Sequence, residues 1–215
     1  MERLLCLAIG YVFGTFQTAV LYGKIKGVDI RKVGSGNAGT TNTLRVLGAK
    51  AGFTVLFGDM IKCLLAVTLV RFLFANNDLK YLLMIYTAAG CVLGHDFPFF
   101  LRFKGGKGIA VTAGNCIAFG WQFVLAGLLS FLIPFNITHY VSLGSLVLYT
   151  VFFLQMVFMG QTGHFVGLSQ SNLAEMYLIV LIMTILAFYQ HRANIKRLLT
   201  GSERKTYIFK KNKVD

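Results

Sequence analysis

Three polar stretches of this chain carry residues suited to binding phosphate. The first runs from Val33 to Arg45 and contains glycines at closely spaced positions. Such glycines let successive backbone N–H groups turn toward one anion, and an arginine adds two parallel donors that match a phosphate. A flexible loop of ordinary function would have a similar composition, but it would not need the arginine. The candidate ligands are Ser35, Gly36, Asn37, Gly39, Thr41, Asn42 and Arg45.

The glycine spacing of this stretch also matches a dinucleotide-binding fingerprint, Gly-x-Gly-x-x-Gly, over residues 34–39. Asp59 stands downstream, where that fingerprint favours an acidic residue. The fingerprint requires a strand, a turn and a helix within a parallel sheet. Asp59 instead falls inside an apolar run that is predicted to be a membrane helix. We therefore reject the dinucleotide interpretation.

The second stretch is Gly94–Gly108, which contains Pro98 and ends Lys-Gly-Gly-Lys-Gly before an apolar run. Proline ends or kinks a helix, and a helix N-terminus preceded by glycines and lysines is a suitable anion site. His95 alone would be a structural histidine and becomes a candidate only through these neighbours. The candidate ligands are Lys104, Gly105, Gly106 and Lys107.

The third stretch is His191–Glu203, which directly follows the last apolar run. It is predicted to continue that helix without a break, so that His191 and Asn194 share one face. A basic helix beside a membrane is commonly a lipid anchor. That alternative does not account for a histidine and an asparagine on the same face at the membrane boundary.

Two pairs of polar residues near apolar runs are expected to support these stretches. Asp59 and Lys62 lie three positions apart, and ionisable residues inside a membrane are costly unless they are paired or functional. We predict that they pair and support the neighbouring loop. Ser142 and Ser145 share a helical face and are expected to line the same cavity, with Ser142 as a candidate substrate ligand.

The elements that must position these residues are predicted to be membrane helices. Hydrophobic residues make up 56% of the 215 residues and charged residues 13%, whereas soluble domains carry about 25% charge. A spanning helix needs roughly 20 apolar residues. The first run, Leu4–Leu21, lacks a cleavage site after it and is expected to be a retained helix. The apolar runs are 4–22, 52–75, 81–101, 108–135, 140–160 and 173–190. The predicted class is an all-α, polytopic membrane protein with a single domain over residues 1–215.

Loop charges predict how these helices are oriented. Basic loops of membrane proteins lie on the cytoplasmic side. By this rule the cytoplasmic segments are 23–51, 102–107 and 191–215, and the segments facing outside are 76–80 and 134–140.

Six crossings do not satisfy this arrangement, because an odd number is needed. We predict that the run 108–135 breaks near Gly120 or Trp121, which gives about seven transmembrane helices with short or broken segments. Alternatively, one later run is interfacial and five crossings remain.

Charge and cysteine content exclude several functions. The formal charge is +13, which fits anionic lipid, a phosphorylated substrate, or both. Nucleic acid is not an expected partner, because the basic residues lie in loops between membrane helices and no binding module is present. The four cysteines lie in apolar runs without metal-binding spacing and are expected to behave as small hydrophobic residues, not as metal ligands. No cofactor is expected.

In this order the three stretches resemble the motifs of the PlsY family of acyl-phosphate:glycerol-3-phosphate acyltransferases. Residues 35–48 resemble S-G-N-x-G-A-T-N-x-x-R-x-x-G, and residues 94–108 resemble G-H-x-F-P-x-F-L-x-F-K-G-G-K-G. Residues 191–203 resemble H-R-x-N-I-x-R-L-x-x-G-x-E. The chain departs from the family at Thr40, Cys63 and Val111, where Ala, Gly and Thr are common, and none of these changes removes a charge.

The resemblance implies a seven-helix enzyme of the bacterial cell membrane, with its active-site loops and C-terminus in the cytoplasm. It would transfer a fatty acyl group from acyl phosphate to the 1-hydroxyl of glycerol 3-phosphate in phospholipid synthesis, giving lysophosphatidic acid and phosphate. The family uses neither acyl-CoA nor acyl carrier protein and needs no metal. A second enzyme would supply the acyl phosphate.

The residues are compatible with this chemistry. An acyl phosphate is a mixed anhydride with a good leaving group, and the chain has neither a G-x-S-x-G elbow nor an H-x-x-x-x-D acyltransferase motif. The candidate catalytic residues are His191, Asn194 and Lys107, and the base is either His191 or a substrate phosphate. The alternative is a transporter or flippase for a phosphorylated metabolite. Such transporters often contain paired repeats, and this sequence shows none.

Overall fold

The computed structural model describes residues 1–208 and 212, and this part of the chain consists of helices joined by loops, without a strand. Two short 3-10 helices occupy Ile30–Lys32 and Phe99–Leu101. The α-helices are α1 Glu2–Thr15, α2 Thr18–Ile25, α3 Thr40–Leu47, α4 Ala49–Leu73, α5 Lys80–Asp96, α6 Ile109–Phe119, α7 Trp121–Thr138, α8 Val141–Gln161, α9 Gln170–Gln190 and α10 Arg192–Leu199.

Six helical segments of the described chain are long and apolar enough to cross a membrane. Large apolar side chains cover their outer surfaces, for example Phe57 and Leu65 on α4, which are 54% and 55% exposed. A soluble protein would bury such faces, whereas lipid is a suitable solvent for them. The predicted all-α membrane class is confirmed. The segments are Glu2–Ile25, Ala49–Leu73, Lys80–Leu101, Trp121–Thr138, Val141–Gln161 and Gln170–Gln190.

The predicted break in the fourth apolar run is confirmed at Gly120. This glycine has φ 123° and ψ 174°, and it separates α6 from α7. Helix α6 has 11 residues and is therefore about 16 Å long, roughly half of a 30 Å hydrocarbon core. Arg71, which the sequence left without a role, donates from Nη1 to the Ala118 carbonyl at 3.2 Å. It satisfies an acceptor that the end of α6 leaves without a helical partner.

The first apolar run is also broken, which the sequence analysis did not predict. Helix α1 ends at Thr15 and α2 begins at Thr18. Lys62 of α4 donates from Nζ to the carbonyls of Gly14 and Phe16, at 3.1 and 2.6 Å. A buried lysine thus compensates the carbonyls at the helix break.

Glycines bring α1 and α5 into close contact. Gly10 and Gly14 of α1 face the α5 backbone at Thr87 and Cys91, where an added Cβ would collide with main-chain atoms. Small residues four positions apart are the usual means by which membrane helices approach closely. This contact fixes the end of α5, and Gln17 then donates from Nε2 to the His95 carbonyl at 3.0 Å.

The three polar stretches meet at one end of the helical bundle. Contacts between Lys107 and Asn194 and between Arg45 and Thr206 join segments far apart in sequence. The loop after α7 lies at the same end, because the His139 carbonyl accepts a hydrogen bond from Thr206 N at 2.9 Å. The assignment of segment 134–140 to the opposite side was therefore wrong. The turn at Gly120 reverses the chain, and a count of basic residues in one loop does not register this.

Candidate active site

A cavity of about 610 Å³ opens at this end of the bundle. All the candidate ligands predicted from the sequence line it, except Lys104 and Gly106. Another cavity, of about 760 Å³, lies at the opposite end among residues 72–79, Gly167 and Asn172. Its lining contains no lysine, arginine or histidine, so it offers no positive charge to a phosphate. The first cavity is therefore the candidate site.

The glycine-rich loop is held in shape by Asn42. The Oδ1 atom of Asn42 accepts from Ser35 N at 2.9 Å, and its Nδ2 donates to the carbonyls of Ile30 and Val33 at 3.0 Å each. Gly34 and Gly36 adopt positive φ angles of 59° and 71° within the turn. The structure thus shows Asn42 supporting the loop, with both ends of its amide engaged by the loop backbone.

The loop leads into the N-terminus of α3, which borders the cavity through Asn37, Gly39 and Thr41. Gly39 is the N-cap of α3 and carries no side chain to cap it. The first N–H groups of a helix have no acceptor within the helix, and the helix dipole places partial positive charge there. This arrangement is suited to an anion.

Glu203 connects the third stretch to the start of α8. Its carboxylate accepts from Ser142 Oγ at 2.9 Å, Asn194 Nδ2 at 2.7 Å and Arg197 Nε at 2.7 Å. Burial raises the pKa of Glu203, but these three donors outweigh it and hold the pKa below the usual value. Glu203 was not among the predicted site residues, although it closes the third motif. Ser142 is placed at the cavity wall by this contact.

Lys107 donates from Nζ to Asn194 Oδ1 at 2.5 Å and thereby joins the second stretch to the third. Burial lowers the pKa of Lys107 to about 8, with Arg197 and Arg192 acting in the same direction and Glu203 and Asp96 opposing them. Lys107 therefore loses its charge as the pH rises through about 8. An adjacent phosphate would favour the charged form.

His191 is 4% exposed and lies at the junction of α9 and α10. Its Nδ1 donates to the Ala187 carbonyl at 2.8 Å, so Nε2 is the unprotonated nitrogen of the neutral ring. Burial, followed by Lys107, lowers the pKa of His191 to about 4. With this pKa, His191 is neutral at physiological pH.

The predicted continuous helix is interrupted at His191, whose backbone N–H is shared between the carbonyls of Ala187 and Phe188.

Arg45 lines the cavity from α3 and is held by residues near the C-terminus. Its Nε and Nη2 donate to Thr206 Oγ1 at 3.2 and 2.6 Å, and Nη2 also donates to the Arg204 carbonyl at 3.0 Å. Neither Arg204 nor Thr206 was predicted from the sequence to belong to the site. Arg204 meets Arg45 through its backbone carbonyl, which any residue type would supply, and a threonine alone does not signal phosphate binding, so only the fold reveals these contacts.

The predicted pair of Asp59 and Lys62 is confirmed, with 3.0 Å between Oδ1 and Nζ. Lys62 Nζ also lies 2.8 Å from His95 Nδ1, and Thr18 Oγ1 donates to Asp59 Oδ1 at 2.9 Å. The His95 carbonyl accepts from Gly106 N at 3.0 Å. The pair therefore supports the lysine-glycine loop through His95.

Two predicted ligands stand outside the cavity lining. Lys104 is exposed at the bundle end. Gly106 is buried against the His95 ring, where a Cβ atom would collide with the imidazole. For both residues, a direct contact with substrate stays a prediction.

The fold and this cavity define an integral membrane protein with a basic cavity, suited to a phosphorylated molecule, at one end of its helical bundle. The chain belongs to the glycerol-3-phosphate acyltransferase family, whose sequence model matches residues 4–201.

Similar proteins extend this match over nearly the whole chain. A glycerol-3-phosphate acyltransferase of Thermotoga petrophila is 39% identical, with 94% of this chain and 96% of that protein covered. One from Clostridioides difficile is 40% identical, with 92% of each covered. The glycerol 3-phosphate form of PlsY, an integral membrane glycerol 3-phosphate acyltransferase, superposes with a TM-score of 0.81 at 33% identity and 96% coverage of each chain. The present chain is accordingly a glycerol-3-phosphate acyltransferase of the membrane-integral type.

Proposed function

We propose that the acyl donor is an acyl phosphate and that the acceptor is the 1-hydroxyl of glycerol 3-phosphate. The products are lysophosphatidic acid and inorganic phosphate. The observation that carries this proposal is the cavity itself, in which a glycine-rich loop, Arg45 and Lys107 surround one space. Two phosphate-bearing substrates require this concentration of donors, because their charges repel each other.

The cavity supports direct transfer without an acyl-enzyme. Ser142 donates its hydroxyl to Glu203, whose lowered pKa makes this carboxylate a poor base. Within residues 1–208 and 212, no serine or threonine hydroxyl donates to His191. The glycerol oxygen attacks the acyl carbonyl carbon, the bond from that carbon to the phosphate oxygen breaks, and phosphate leaves. The energetic contribution of the protein is then positioning and charge stabilisation.

A substrate phosphate is the proposed base for the hydroxyl proton. An imidazole with a pKa of about 4 is a weak base, whereas a phosphate monoester has a second pKa near 6. In this proposal the unprotonated Nε2 of His191 accepts a hydrogen bond from the neighbouring 2-hydroxyl and so orients the acceptor, while the proton of the attacking 1-hydroxyl goes to the phosphate. Asn194 and Lys107 complete the proposed catalytic set, and they hold each other through their own hydrogen bond.

The proposed binding residues are those that the sequence predicted. Their hydroxyl groups, backbone amides and cations are assigned to the two substrate phosphates, without a choice of which phosphate meets Arg45. They are Ser35, Gly36, Asn37, Gly39, Thr41, Asn42, Arg45, Lys104, Gly105, Gly106 and Ser142.

We place the protein in a bacterial cell membrane, as a single domain with the cavity end in the cytoplasm. The basic segments that gather at this end support the orientation, because cytoplasmic loops are rich in Lys and Arg. Membership in this enzyme family does not favour the transporter alternative. Since a mixed anhydride is reactive, we also propose that a partner enzyme supplies the acyl phosphate.

A comparison of acyl donors tests the proposal. The purified protein in lipid nanodiscs is incubated with glycerol 3-phosphate and either palmitoyl phosphate, palmitoyl-CoA or palmitoyl acyl carrier protein, and lysophosphatidic acid is measured by mass spectrometry. We expect product from palmitoyl phosphate alone. Product from palmitoyl-CoA at an equal or higher rate would overturn the donor assignment. If no donor gives product although the preparation unfolds cooperatively and is therefore folded, the transporter alternative would be favoured.

A further inference from the structure

The segment Glu203–Tyr207, here called the C-terminal strap, closes one wall of the cavity. Glu203 and Arg204 both line the cavity, and Thr206 is only 2% exposed. The family's sequence model ends at residue 201, just before the strap.

The strap is fixed to the bundle at two points besides Arg45. Glu203 binds the start of α8 and α10 through Ser142, Asn194 and Arg197. Further along, Thr206 N donates to the His139 carbonyl at 2.9 Å, and the Tyr207 ring packs on the His139 ring with 4.9 Å between centroids. His139, left without a role by the sequence, thus anchors the strap after α7.

Between these anchors, the Thr206 hydroxyl accepts hydrogen bonds from one edge of the Arg45 guanidinium. Both Nε and Nη2 of Arg45 donate to Thr206 Oγ1, which fixes the plane of the group. The Arg204 carbonyl of the strap also accepts from Nη2, at 3.0 Å.

This contact orients Arg45 while the residue still borders the cavity. A phosphate carries full negative charge and attracts a guanidinium more strongly than an uncharged hydroxyl does, so substrate phosphate can bind a guanidinium that Thr206 orients. We propose that Thr206 is a positioning residue, which acts on substrate phosphate through Arg45, and that the strap is part of the substrate-binding wall. The kinetic part of this inference rests on the proposed function.

Replacement of the threonine hydroxyl tests the proposal. Thr206→Val keeps the shape and loses the acceptor, whereas Thr206→Ser keeps the acceptor. Loss of a hydrogen bond to a charged group should raise the KM for one of the two substrates about tenfold, with kcat changed less than threefold. Thr206→Ser should restore the KM to within twofold of wild type. Thr162→Val, an exposed threonine outside both cavities, is the matched control.

A binding measurement separates this inference from the choice of donor. The shift in Tm caused by inorganic phosphate, which can occupy either phosphate position, and by glycerol 3-phosphate is recorded for each variant in detergent. We expect a smaller shift for Thr206→Val and a wild-type shift for Thr206→Ser. If wild type uses no acyl phosphate, the donor proposal fails while this comparison still stands.

Three results would overturn the role of Thr206. Unchanged KM values and phosphate-induced shifts in Thr206→Val would show that Arg45 does not need the strap. A lower KM in that variant would show that the strap competes with substrate. Equal losses in the valine and serine variants would show a packing role.

Discussion

Lys107 is the residue whose protonation state most directly sets the charge of the cavity. Its pKa is lowered to about 8, so the free protein loses this charge as the pH rises through that value. We expect kcat/KM to fall above pH 8 for the substrate whose phosphate contacts Lys107, because kcat/KM reports the ionisation of the free enzyme. A pH series of initial rates measures this.

Replacement by arginine provides the comparison. Lys107→Arg should remove the alkaline fall, since arginine keeps its proton, whereas Lys24→Arg, on the exposed end of α2, should retain it. Lys107→Ala should lose well over tenfold in kcat/KM at pH 7. The same alkaline fall in Lys107→Arg would assign the titration to another group.

His191 distinguishes a base from an orienting residue. If a substrate phosphate takes the proton, His191→Ala should retain more than about a tenth of the wild-type kcat, because only the orientation of the hydroxyl is lost. Positioned acid–base catalysis is worth about 10²–10⁴-fold. Single-turnover rates in a variant with near-normal Tm measure the effect. A fall of a thousandfold would identify His191 as the base.

The sequence predicted chemical types at the residue scale better than contacts. Arg45 and Lys107 were predicted from charge beside glycine, and the structure places both at one cavity. Asn42 was predicted as a ligand, but its amide binds the loop backbone. Glu203 and Thr206 were missed because their importance depends on which groups the fold brings to them.

The buried pair of Asp59 and Lys62 links three elements at the scale of helices. It joins α4 to the break between α1 and α2 and to the end of α5. Lys62→Met leaves the Asp59 carboxylate without its cation, which costs about 3–5 kcal/mol. We expect a clear loss of Tm in detergent, and Lys62→Met/Asp59→Leu should recover at least half of it. A further fall in the double variant would contradict the account of a coupled pair.

The loop charges predicted the break at Gly120, because an odd number of crossings was needed to place all the basic segments on one side. The break between α1 and α2 had no such signal, since Gln17 is one polar residue in an apolar run. Lys62 makes it possible from a distant part of the chain. The error for segment 134–140 has a different origin: this segment contains no lysine or arginine, and a charge count in one loop does not register the reversal of the chain at Gly120.

The three polar stretches converge on one end of the whole molecule, as the charge distribution indicated. Labelling of introduced cysteines tests which side this end faces, and the four native cysteines are buried. In intact cells we expect Asn76→Cys to react with an impermeant maleimide, and Ser202→Cys to react only after permeabilisation. The reverse pattern would place the cavity outside.

The central claim for the whole molecule is that one cavity holds both substrates and that the acyl group passes directly between them. Initial rates measured over a grid of palmitoyl phosphate and glycerol 3-phosphate concentrations test this most directly. Direct transfer within a ternary complex predicts intersecting double-reciprocal lines. Parallel lines, the pattern of a ping-pong reaction through a covalent acyl-enzyme, would contradict the account.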